Sequence, residues 1–160
     1  MLARISATIA LLVSTLGVVA CGGDDSGGGV SKEDFAKRAN EVCNDVEREL
    51  NSLSSGNAQN AEDVAKLIDN VIAKSREAVD RLKGLEVPEG DAGQKAEDFV
   101  NTLEDELDEG AIPALEDLKD AVKKGDQEAA AKAAQEIQKL SDTKSNELAR
   151  EAGATDCASG

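Results

Sequence analysis

Asn60-Ala61-Glu62-Asp63-Val64-Ala65-Lys66-Leu67-Ile68-Asp69-Asn70-Val71-Ile72 is the stretch that decides the fold. Val64, Leu67, Ile68, Val71 and Ile72 recur at steps of three and four, the period of one face of an α-helix. Asn60 is a favoured residue just before a helix, and Asp63 puts a negative charge near its positive end. The apolar stripe runs on through Val79, Leu82 and Leu85 and stops at Pro88-Glu89-Gly90.

The same period governs the chain on both sides. Upstream, Ser31 and Asp34 have the spacing of a capping box. Phe35, Ala39, Val42, Val46, Leu50 and Leu53 then form one face, with Cys43 at its edge, until Ser54-Ser55-Gly56-Asn57. Downstream, Asp91 and Gln94 open a third helix that reaches Lys124. Its stripe is Ala96, Phe99, Val100, Leu103, Leu107, Ala111, Ala114, Leu115, Leu118 and Val122. Pro113 lies inside this run, has no N–H to donate and crowds the carbonyl of Glu109. Gly110 is a second weak point. The period survives both, so one helix kinked at Pro113 is expected. Gly125-Asp126 combines a C-cap with an N-cap. A fourth helix is expected over about 127–151, Ala-rich at first (Ala129 to Ala131, Ala133, Ala134), then Ile137, Leu140 and Leu148, with Gly153 as its stop. Aromatic residues are confined to Phe35 and Phe99, so Ala, Val, Leu and Ile must build the core, which suits close-packed helices better than sheets. The expected fold is all-α, an antiparallel up-down-up-down four-helix bundle over residues 31–160.

The first thirty residues have a different character. Behind Arg4, an apolar run from Ile5 to Leu16 leads to Val18-Val19-Ala20-Cys21. That order is the n-region, h-region and small-residue cleavage site of an export signal. A cysteine directly after the cleavage site makes it a lipobox. Residues 1–20 are therefore read as a cleaved signal peptide and Cys21 as the lipidated first residue. The apolar run is too short and too rich in Ser and Thr for a membrane span of about 20 residues. Gly22 to Val30 form a tether whose root-mean-square span is roughly 15–18 Å.

The formal charge of the 160-residue chain is −15, and loss of Arg4 makes the mature chain more negative. Such a chain is repelled by nucleic-acid phosphates and anionic headgroups, so no nucleic-acid partner is expected. The simplest reason for the charge is solubility. Once Cys21 carries lipid, Cys43 and Cys157 remain. Two cysteines in an exported protein usually form a disulfide. Free thiols or half of a metal site are the alternatives, but zinc needs further sulfur or imidazole ligands and histidine is absent.

The absence of histidine also removes Ser-His-Asp, Cys-His and Glu-x-x-His chemistry. Ser141-Asp142-Thr143-Lys144 matches a Ser-x-x-Lys pattern but lacks the accompanying Ser-Asp-Asn and Lys-Thr-Gly motifs. Glu104, Asp105, Asp108 and Glu109 crowd one stretch of the third helix and are weak candidates for calcium or magnesium through oxygen ligands; a solvated face explains them better. No catalytic residue and no cofactor are expected.

Val18-Val19-Ala20-Cys21, the Gly/Asp tether, Ala39-Asn40-Glu41-Val42-Cys43 and Thr155-Asp156-Cys157 together resemble the small helical lipoproteins of high-GC Gram-positive bacteria. That resemblance covers most of the chain and implies no particular activity. Gly22, not Asp, follows Cys21, so no inner-membrane retention signal is read. The expected protein is a lipid-anchored, non-enzymatic cell-envelope protein on the outer side of the cytoplasmic membrane, held to the membrane by its lipid and binding an envelope protein or acting as a surface scaffold. The alternative is a binder of a small ligand or divalent cation. A protein partner calls for an exposed apolar face, and a ligand for a pocket of several hundred Å³.

Overall fold

The computed structural model describes residues 29–54, 59–140 and 143–158. The expected signal peptide, the lipidated Cys21 and most of the tether lie outside the described residues, as do Ser141 and Asp142 of the Ser-x-x-Lys match. The described residues are helical and contain no strand. In chain order they form α1 (Lys32–Ser54), α2 (Ala61–Lys83), α3 (Asp91–Glu106), a π turn (Leu107–Ala111), α4 (Ile112–Lys124), α5 (Gln127–Lys139), α6 (Lys144–Ala152) and a closing 3₁₀ turn (Thr155–Ala158). Among the described residues, no helix is long and apolar enough to cross a membrane.

The caps follow the sequence. Ser31 Oγ accepts the Asp34 N–H at 3.1 Å and donates to the Asp34 carboxylate at 2.8 Å. Asn60 Oδ1 accepts from Glu62 and Asp63 N–H, both at 3.0 Å. The Asp126 carboxylate accepts the Ala129 N–H at 3.0 Å. Each backbone N–H so accepted has no partner within its own helix. Gly93 in the first turn of α3 is there for space: an added Cβ would lie 1.9 Å from the Pro88 carbonyl oxygen.

One expectation is refined and one needs correction. The third helical run is continuous from Asp91 to Lys124, as expected, and its irregularity is a π turn at Leu107–Ala111 that contains Gly110 and lies just before Pro113. The Ile112 N–H reaches back five residues to the Leu107 carbonyl. Pro113 follows at the start of α4, where a missing N–H costs least. The π turn inserts one residue into the stripe. A regular pitch would bury Ala111, whereas Ile112 is the residue that goes inside, 4% exposed. The correction concerns the fourth helix, which is two helices. α5 ends at Lys139 and packs along α4; α6 begins at Lys144 and packs along α3. Ser, Asp and Thr, the residue types at 141–143 of the sequence, favour a helix boundary over a helix interior. Thr143 supplies no side-chain cap. The Glu106 carboxylate, at the end of α3, takes that role by accepting the N–H groups of Lys144 at 2.9 Å and Ser145 at 3.3 Å.

The buried apolar residues form two clusters. The larger gathers Phe35, Ala39 and Val42 of α1, Leu82 of α2, Ala96, Phe99 and Val100 of α3, and Ala149, Ala152, Ala154 and Ala158 of the C-terminal segment. Phe35, Phe99 and Leu82 are its largest fully buried side chains, each stabilising by roughly 1.5–3 kcal/mol through removal from water. The smaller cluster is Ile68 and Ile72 of α2 with Ile112 of α4, flanked by Val64, Leu107, Leu115 and Leu118.

Candidate functional site: an apolar cleft beside the disulfide

Cys43 and Cys157 are bonded, with Cα atoms 5.2 Å apart and a sequence separation of 114. The bond straps the C-terminal 3₁₀ turn across α1, and side chains from α1 reinforce it. Asn40 Oδ1 accepts the Asp156 N–H at 2.9 Å, Asn40 Nδ2 donates to the Gly153 carbonyl at 3.4 Å, and Asn44 Nδ2 donates to the Asp156 carboxylate at 2.7 Å. Gly153 makes the turn into this strap at φ 86°, a left-handed conformation that favours glycine.

Ion pairs stitch the neighbouring helices. Between α1 and α2, Arg81 meets Asp45 at 3.0 Å and Lys74 meets Glu49 at 2.9 Å. Between α2 and the third run, Lys83 meets Glu104 at 2.8 Å, Arg76 meets Asp108 at 3.8 Å and Lys119 meets Asp69 at 2.8 Å. In both sets the partners occur in opposite chain order. The Arg81 guanidinium, and then that of Arg48, hold the Asp45 carboxyl below the usual carboxylate range. Hydrogen bonds donated to the Glu77 and Glu49 carboxylates hold the Lys74 ammonium above the usual lysine range.

α1, α2 and the end of α3 leave an apolar cleft open between them. α1 contributes Val46 and Leu50, α2 contributes Ala78, Val79 and Leu82, and Leu103 and Leu107 close the far side. The disulfide and Asp156 form one end. The cavity is about 420 Å³, within the range of small-molecule sites. Val46, Leu50, Leu103 and Leu107 are half-buried, as walls of a groove. On the other side of Leu103 and Leu107 lies a second cavity of about 190 Å³, bounded by Ala111, Leu140 and Thr143. The two leucines are a partition shared by both spaces.

The acids singled out in the sequence do not converge. Glu104 is turned to Lys83 and Asp108 to Arg76, while Asp105 and Glu109 are exposed. No group of three or more His, Cys, Asp or Glu side chains suited to a metal ion occurs among the described residues. The sequence identifies Val46, Leu50, Leu103 and Leu107 as apolar-face residues but does not show that they line an open cleft. No protein-family model, curated protein or solved structure matches this chain.

Proposed function

We propose that this chain is a lipid-anchored, non-enzymatic binding protein of the cell envelope whose helical domain takes an apolar small molecule into the cleft between α1, α2 and Leu103/Leu107. The observation that carries this reading is the cleft itself: seven aliphatic side chains around about 420 Å³, open to solvent. Burial of apolar ligand surface at about 25 cal/mol per Å² supplies the driving force. The walls are held by the disulfide on one end and by Arg81–Asp45 and Lys83–Glu104 along the sides, so little ordering is required on binding. The reversed order of the ion pairs supports an up-down arrangement of α1, α2 and α3, with α6 returning along α3 as a shortened fourth helix. The lipobox at Val18-Val19-Ala20-Cys21 supports the anchor and the extracytoplasmic location, and the tether lets the domain turn its cleft relative to the bilayer.

Fluorescence titration with a neutral apolar dye such as N-phenyl-1-naphthylamine tests the cleft. Saturable single-site binding is expected, and Ala78→Trp, which fills the cleft from its floor, abolishes it while far-UV circular dichroism is unchanged. Equal binding by a folded Ala78→Trp variant places the dye elsewhere and overturns the reading.

A further inference from the structure

We infer that the ligand of this cleft is a cationic amphiphile, an aliphatic or ring hydrophobe carrying a single ammonium group; this rests on the cleft being a ligand site. The charged side chains of the lining, Glu47 and Asp156, are both acidic, and its other polar side chains, Asn51 and Ser75, are neutral. Asp156 sits beside the disulfide, held by Asn44, and Glu47 lies one helical turn along α1 from Cys43. The opposite side, at Leu103 and Leu107, is aliphatic. The described lining holds these two carboxylates and no lysine or arginine. The cations on nearby α2 positions are engaged, Arg81 by Asp45 and Lys83 by Glu104. A fatty-acid carboxylate seated here would meet two like charges and no partner. An ammonium group beside Glu47 and Asp156 meets two opposite charges while its apolar body lies against the leucines.

The chain's overall negative charge attracts any cation, so the test must separate the site from the field. Dodecyltrimethylammonium, dodecyl sulfate and the neutral dodecyl maltoside, all below their micelle concentrations, are titrated calorimetrically into the disulfide-bonded mature domain. The same titrations are run on Glu47→Gln/Asp156→Asn and on the control Glu128→Gln, a change on α5 away from the cleft. The expected result is tighter binding of the ammonium compound than of the neutral one by about fivefold, the effect of two exposed charge contacts. That ratio falls to near unity in Glu47→Gln/Asp156→Asn and persists in Glu128→Gln. If the neutral compound binds as tightly as the cation, or if the preference survives the double substitution, the cationic assignment is overturned and the cleft stands. If none of the three binds, or all bind equally to a folded Ala78→Trp variant, the cleft reading fails and this inference with it.

Discussion

Glu106 does for α6 what Asn60 does for α2, but from another helix. Asn60 is read in the sequence because a cap lies next to its own helix; Glu106 is 38 residues from Lys144, and no local pattern announces it. Glu106→Ala should destabilise the domain by about 1 kcal/mol, the usual cost of losing an N-terminal cap, while Glu106→Gln, which keeps an acceptor, should cost less. Chemical denaturation of the two variants checks this. Asp45 gives the acid response. Its folded carboxyl is held low by Arg81 and then Arg48, so its contribution is present above the ordinary carboxylate range. It is lost as pH falls through the depressed folded value. Lys74 has the opposite sign: its contribution is present at neutral pH and disappears only as pH rises through its elevated folded value. Melting temperatures measured across acidic pH should therefore fall on acidification, and Asp45→Asn should flatten part of that fall. An unchanged acid slope in Asp45→Asn contradicts the assignment.

The elements were legible where the apolar pitch was regular and was closed by caps, as in α1 and α2. They were misread where the pitch changed. The step of five from Leu107 to Ile112 is the mark of the π turn, and a strict α-helical register passes over it in favour of Ala111. The break before α6 had a signal too: Ser141, Asp142 and Thr143 stand together, and the stripe is empty of large apolar residues between Leu140 and Leu148. Two substitutions separate the causes of the π turn. Ile112→Ala should cost about 2–5 kcal/mol, the usual range for truncating a buried Ile, because it empties the centre of the smaller cluster. Pro113→Ala should change stability by less than about 1 kcal/mol, since the proline occupies the start of α4, where it is tolerated. A gain near 3 kcal/mol from Pro113→Ala would mean that the proline strains a helix interior. The cleft was not legible, because pitch marks Val46 and Leu103 as apolar-face residues but cannot say whether another element covers them.

Across the whole molecule, a chain almost without aromatics holds a C-terminal segment on α1 by small-residue packing and one long-range covalent bond. Closing a loop of about 100 residues stabilises by up to about 4.7 kcal/mol in the chain-entropy model. Cys43→Ser/Cys157→Ser should therefore lower the free energy of unfolding by about 2–5 kcal/mol and weaken dye binding, since the bond is one end of the cleft. The proposed anchor belongs to this scale as well: Cys21→Ala should release the protein from the membrane fraction, and firm retention would refute lipidation. The most direct measurement of the central claim is a methyl-resolved NMR titration of the mature domain with the neutral dye. The predicted result is saturable shift changes confined to Val46, Leu50, Val79, Leu82, Leu103 and Leu107, with Val64, Ile68 and Ile72 unmoved. Shifts centred on Val64, Ile68 and Ile72, or no saturable shifts at all, would contradict a ligand site in this cleft.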